Sequence, residues 1–286
     1  RSAPGPAPTR PGRRASCCDI VLTPVDRRPA AAMTRPPAHP LARVRSRWSD
    51  AEAADWGRST ADTDLGERIY TSRLLGADHP DVLTMRANLA IALRTEKRGA
   101  EAERVMQEVY DRRRAVLGEA HPETIRTLSF LAVMARDRND LAKAEVLLGQ
   151  AAHLYAQANG PDHPETILIE NNYLSVLRDR GDIARAISGF AALLPRATKA
   201  LPAANWQLAA IRGGYGKALY LDGRFEEAEP LILDSWRTIS GQFPAGDPRT
   251  VAARARVVEM YKAWGRPGSA DAAFAAAAGP TDGAAQ

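Results

Sequence analysis

The sequence predicts an all-α chain: a right-handed superhelical solenoid of helix-turn-helix repeats. Three observations carry this prediction. The first is a fixed period. LGADHP at Leu75–Pro80 returns as LGEAHP at Leu117–Pro122 and as NGPDHP at Asn159–Pro164, so His79-Pro80, His121-Pro122 and His163-Pro164 follow one another at 42 residues. The same step lands on Asn205-Trp206, where the signature is lost, and on Asp247-Pro248, where the proline returns. A period of this length marks stacked repeats. The second is a set of small and apolar columns that recur at the same step. The third is composition. The chain is 45% apolar, 26% charged and only 6% aromatic, as expected for a helical domain rich in Ala, Leu and Arg. It has no run of about 18 apolar residues that would suggest a membrane span.

Residues 1–48 stand apart. Nine of the twenty prolines precede Leu41, and the segment holds ten Arg against two Asp, a balance of +8. The formal charge of the whole chain is +5, so the remainder carries 5 − 8 = −3. The high pI is therefore a property of the tail and gives no reason to expect nucleic acid on the folded part. Proline at this density breaks helices, and a disordered tail is expected. Cys17 and Cys18 are adjacent within it, which makes neither a disulfide framework nor a four-ligand zinc site.

Order is expected from Ser49. Ser49-Asp50 can cap a short helix through Trp56, and Leu65, Ile69, Tyr70 and Leu74 form the apolar side of a second. Together they make a degenerate half-repeat over 49–74, ahead of repeats that start near 75, 117, 159, 201 and 243. The array is expected to reach 278 and to be followed by a disordered tail at 279–286. Within each repeat a proline stands near N1 of the first helix, where its missing N–H costs nothing. Asp81, Glu123 and Glu165 follow it and place negative charge in the first turn. Lys97, Asn139, Gly181, Gly223 and Gly265 mark the turn between helices. Gly and Asn suit a left-handed stop there, and Lys97 does not.

The columns describe the packing. Ala102, Ala144, Ala186, Ala228 and Ala270 share one position, where a small side chain lets two helices approach. Beside them run three large columns: Leu89, Leu131, Tyr173, Tyr215, Val257; Met106, Leu148, Phe190, Ile232, Phe274; and Leu93, Ala135, Leu177, Leu219, Tyr261. Alternation of small and large columns is how antiparallel helices mesh and stack on the next pair.

These columns resemble the tetratricopeptide repeat (TPR). A large apolar residue precedes a small one in the first helix (Leu89-Ala90, Leu131-Ala132), Gly stands at the turn, and Ala comes early in the second helix. The 42-residue spacing with its GxxHP turn is similar to the kinesin-light-chain-like variety. The Asn-Asn-Leu-Ala motif of that variety is seen as Asn171-Asn172-Tyr173-Leu174 and in part as Asn88-Leu89-Ala90. The resemblance covers roughly residues 50–275. The runs Gly223–Trp236, Gly246–Thr250 and Val257–Pro267 also look like the C-terminal repeats appended to bacterial serine/threonine protein kinases. That likeness implies a regulatory segment of a longer bacterial enzyme as the alternative reading. The chain departs from the pattern where repeat four loses His-Pro and where Leu174 replaces a small residue.

Catalytic motifs are missing from the sequence. There is no glycine-rich phosphate loop, HRD or DFG motif, Walker A motif or GxSxG elbow, so the chain itself is not expected to be an enzyme. The repeated histidines lie about 10 Å or more apart if repeats stack at helix-pair spacing, whereas zinc ligands sit within about 2 Å of one ion, so they are expected to pack or cap at turns. No cofactor or metal is implied.

One constellation remains. Arg94, Arg136, Arg178, Tyr220 and Lys262 occupy one position per repeat on the first helices, which line the concave wall in the resembled fold. Asn88, Ser129, Asn171, Asn172, Ser175 and Lys217 neighbour them. Amides can bind an extended peptide's main chain, and Arg can take a carboxylate or phosphate in a bidentate way. A groove for a peptide or partner helix, acidic or phosphorylated, is one reading. The other is that each Arg pairs inside the array with Asp137, Asp179 or a carboxylate of the next repeat. The expected partner is thus a protein or peptide, with no membrane, with nucleic acid disfavoured, and with a cytoplasmic location.

Overall fold

The computed structural model describes residues 75–277. The expected tail at 1–48, half-repeat at 49–74 and tail at 279–286 lie outside the described residues. Within them are ten helices and no strand: α1 (Pro80–Thr95), α2 (Gly99–Leu117), α3 (Pro122–Asp137), α4 (Leu141–Asn159), α5 (Pro164–Arg180), α6 (Ile183–Ala200), α7 (Trp206–Leu221), α8 (Phe225–Ser240), α9 (Pro248–Ala263) and α10 (Ser269–Ala277). The first helix of every pair starts 42 residues after the last, at Pro80, Pro122, Pro164, Trp206 and Pro248.

The start of each first helix explains the repeated histidines. Nδ1 of His79, His121 and His163 accepts a hydrogen bond from the backbone N–H two residues on, at Asp81, Glu123 and Glu165, over 3.1–3.2 Å. Each satisfies one orphan donor of the first turn. The fourth and fifth pairs keep the bond and change the acceptor. Asn205 Oδ1 accepts from Gln207 N–H at 2.7 Å, and Asp247 Oδ1 from Arg249 N–H at 2.9 Å. The motif that the sequence shows as lost at Asn205 is therefore retained in its chemistry.

All five turns close the same way. Lys97 and Asn139 take φ of 64° and 63°, beside 93°, 84° and 75° at Gly181, Gly223 and Gly265. Lys97 adopts the left-handed turn in spite of its Cβ. An ion pair straddles the entry to the second helix: Arg98 with Glu101 recurs as Arg224 with Glu227, and with signs reversed as Asp182 with Arg185.

The described residues fall into two compact units that divide between Leu131 and Ala132, inside α3. In the first, α1 packs on α2 through Leu83, Ala87, Ala90 and Leu93 against Ala102, Val105, Met106 and Val109. In the second, α4 packs on α5, α5 on α6, α6 on α7, α7 on α8 and α8 on α9. Phe190, Leu193, Ile167 and Leu208 centre one core cluster, and Ile232, Val257 and Met260 another. The alanine column is buried throughout, from 0% exposure at Ala102, Ala144, Ala186 and Ala228 to 4% at Ala270. Of the large columns, Leu89, Tyr173, Tyr215 and Phe274 are half-buried and the rest are closed.

The first helices differ in how much of their circumference is covered. On α5, Thr166–Ile169, Asn171, Asn172 and Leu174–Arg178 are all buried, so this helix is enclosed nearly all round, polar positions included. On α9 burial is confined to one face, formed by Thr250, Ala253, Arg256, Val257, Met260 and Tyr261.

Candidate interaction surface

The residues singled out in the sequence lie on α1, α3, α5, α7 and α9. In the unit ending at Leu131, Asn88 is exposed on α1 and Arg94, its penultimate residue, is half-buried. Ser129 is buried in α3 and returns its hydroxyl to Ile125 C=O at 3.2 Å. The strongest polar cluster of this unit involves a residue that the sequence did not single out. Arg113 on α2 is 4% exposed and donates to Thr127 Oγ1 at 2.9 Å, Thr84 Oγ1 at 3.2 Å and Glu123 C=O at 3.2 Å. It also pairs with the Glu123 carboxylate at 3.0 Å. Burial pushes its pKa down, and Glu123 opposes this. It ties together α1, α2 and the start of α3. A signal was available: at its column the later repeats carry Tyr155, Ala197 and Ile239, all buried, so a charged residue there needed a partner.

In the unit from Ala132 onward, the arginines of the ladder turn inward. Arg136 and Arg178 are 2% and 0% exposed and share a single carboxylate. Arg136 Nε donates to Asp179 Oδ2 at 3.0 Å, while Nε and Nη2 of Arg178 donate to Oδ1 at 3.0 and 2.9 Å. The bond spans from α3 to α5, across successive hairpins. A buried guanidinium is tolerable only when it is paired in this way. Asn171, Asn172 and Ser175 lie along the same helix, also buried. Further along, Tyr220 on α7 donates to Glu259 on α9 at 3.2 Å, and Lys217 Nζ stands 4.0 Å from the same carboxylate. Burial, then the charge of Glu259, pushes the Tyr220 hydroxyl pKa up. Lys262 is exposed on α9.

The structure thus sorts the candidates. Ser129, Arg136, Asn171, Asn172, Ser175, Arg178 and Tyr220 are enclosed, whereas Asn88, Arg94, Lys217 and Lys262 keep solvent access. The pairing of Arg136 and Arg178 with Asp179 is the internal ion pair that the sequence offered as the second reading. Among the described residues no group of three or more His, Cys, Asp or Glu could hold a metal ion, and no helix is long and apolar enough to cross a membrane.

Residues 81–157 match the model of the tetratricopeptide repeat family. This is a tetratricopeptide-repeat fold. Solved structures of such repeats superpose on the TPR array over most of its length. A putative kinesin light chain with nearly identical TPR-like repeats from Podosopora anserina is 18% identical, with 72% of this chain and 99% of that one covered and a TM-score of 0.56. A point variant of that protein, also 18% identical, gives 0.57 over 70% and 94%. BtubC (BKLC) from P. vanneervenii, 17% identical, gives 0.59 over 78% and 89%. These neighbours are kinesin-light-chain-like TPR proteins, the variety that the 42-residue period resembles. At such identities the likeness is one of fold. No curated protein matches the chain.

Proposed function

We propose that this TPR array is a non-catalytic protein–protein interaction scaffold whose first helices present a groove for a peptide or partner helix. The observation that supports this most directly is the division of labour along those helices. Asp179 occupies the bidentate forks of Arg136 and Arg178, so these two brace successive hairpins. On the first helices of the two units Asn88 is exposed and Arg94 and Lys217 are half-buried, so each unit offers polar side chains that a partner meets. Two of the three are cationic, which suits an acidic or phosphorylated segment. A TPR fold supplies the rigid frame, and repeat arrays use their extended inner surfaces for binding.

The test is affinity capture with mass spectrometry from lysate of the source organism, with the wild type run beside Asn88→Ala and Lys217→Glu. The reading expects partners that are depleted by at least one of the two substitutions while the circular dichroism spectrum is unchanged. An identical set of partners at identical yield on all three proteins counts against it.

A further inference from the structure

Two polar groups on α3 and α5 are closed off from solvent and have no hydrogen-bond partner among the described residues. They are Nη1 of Arg136 and Oγ of Ser175, on residues that are 2% and 1% exposed. Arg136 directs Nε and Nη2 to Asp179 Oδ2, and Nη1 is the remaining corner of its fork. Enclosing an N–H donor or a hydroxyl with nothing to bond is costly, so such groups mark a bound water or ion.

The repeat register sets the two groups opposite each other. Arg136 and Ser175 stand two periods of 42 residues before Tyr220 and Glu259. That later pair is in contact: Tyr220 on α7 donates to Glu259 on α9 at 3.2 Å. The column of Arg136 thus meets, one hairpin on, the column of Ser175. In the later pair a carboxylate spans the distance between the columns. In the earlier pair the donor is a guanidinium, which attracts negative charge more strongly, and the facing side chain is a short serine that brings none. The charge of Asp179 is already divided between the forks of Arg136 and Arg178. Asn171 Oδ1, an acceptor that would repel an anion, lies on the α7 side of α5, where a Cβ on Gly214 would stand 3.6 Å from it. A guanidinium N–H and a hydroxyl that turns its hydrogen outward are both donors, and charge-assisted bonds are the stronger kind. Enclosure and a set of two donors suit a small monovalent guest.

We propose that a chloride-sized anion is held between α3 and α5 by Arg136 Nη1 and Ser175 Oγ, at the place that the Glu259 carboxylate takes two repeats later. The ion binds the folded chain and not the unfolded one, so it braces the two hairpins by mass action.

Urea unfolding of the full chain at constant ionic strength, with chloride replacing gluconate, is the first measurement. The wild-type midpoint should rise steadily between about 1 mM and about 150 mM chloride. Ser175→Asp supplies the charge covalently. Its midpoint should lie above that of the wild type in gluconate and stay flat as chloride is added. Ser175→Ala removes one donor at nearly constant volume, and its midpoint should need about tenfold more chloride for the same rise. The chlorine NMR line, broadened by the wild type, should be narrowed to its free width in the presence of Ser175→Asp. Where Ser175→Asp fails to fold, Ser175→Ala carries the test. A wild-type midpoint that chloride does not move overturns the proposal and leaves the two groups to water. A chloride response of wild-type size in Ser175→Ala overturns it as well, because the ion then acts elsewhere.

Discussion

The Leu174 side chain fills the space that a side chain on Gly189 would need. A Cβ at Gly189 would overlap Leu174 Cδ2, with Cδ1 and Cγ at 3.3 Å. The two face each other across the α5–α6 hairpin, and other hairpins place the bulk differently. Ala90 has Val105 at the matching position, Ala132 has Leu147, and Gly216 has Leu231. Repeat three exchanges small for large on both sides of the contact, which is how a core keeps its volume.

This exchange has a sign that can be tested. In an ordinary helix Gly→Ala stabilises by about 1 kcal/mol. Here Gly189→Ala should destabilise by about 1–3 kcal/mol through overpacking. Leu174→Ala combined with Gly189→Leu restores the arrangement of the other hairpins and should recover most of what either single change loses. Urea unfolding midpoints of the four proteins give the coupling.

At the first turn, Lys97 holds φ of 64°, a conformation that costs an L-residue with a Cβ roughly 1–2 kcal/mol. Glycine removes that strain and adds freedom to the unfolded chain, worth about 0.4–1 kcal/mol in the other direction. Lys97→Gly should therefore raise stability by up to about 1 kcal/mol. The same change at Asn139 should do less, because Asn tolerates the left-handed region better. Thermal melts of the two variants decide this.

The caps make a prediction about pH. Side-chain and backbone bonds from Arg249 hold the Asp247 carboxyl down at about 2, below its ordinary value of 3.8. A depressed folded value means that the ionised form stabilises the fold above the unfolded value and that this contribution is lost as pH falls from about 4 toward 2. Asp247→Asn keeps an acceptor for Arg249 N–H but not the charge. The gap in urea midpoint between wild type and Asp247→Asn should be constant from pH 7 to about 5 and close toward pH 2. At the equivalent cap of α5, His163→Asn should be nearly silent and His163→Ala should cost about 1 kcal/mol.

Loss of Asp179 would remove the carboxylate that two almost wholly buried guanidiniums share. Removal of one partner from a buried pair costs about 3–5 kcal/mol. Asp179→Asn should fall in that range and exceed Lys217→Glu severalfold. For the same reason Arg136→Glu with Arg178→Glu, which would look on an exposed ladder like a clean test of binding, should abolish the folded state. Far-ultraviolet circular dichroism separates the two outcomes.

Much of this was legible in the sequence. The 42-residue step of the turn motif is the step at which the first helices of the described residues begin, and the alanine column is buried throughout, because one small residue per repeat is a geometric requirement that leaves a direct mark. The burial of Arg136 and Arg178 was not legible. A column says that positions are equivalent, but exposure depends on what the next hairpin lays over them, and Lys262, in the same column, lies open for that reason. The cap at Asn205 was hidden because the hydrogen bond is kept while the residue type changes. Leu174 read as a departure because its compensation at Gly189 lies on the opposite helix, fifteen residues away.

We propose that the enclosed arginine–aspartate cluster braces α3 against α5, while polar residues of the first helices that keep solvent access meet the partner. One experiment addresses both halves: urea unfolding and partner capture, measured side by side on Asp179→Asn and Lys217→Glu. Asp179→Asn should lose about 3–5 kcal/mol of stability, whereas Lys217→Glu should lose severalfold less and shed captured partner. Asp179→Asn with an unchanged midpoint, together with Lys217→Glu with full capture, would contradict it.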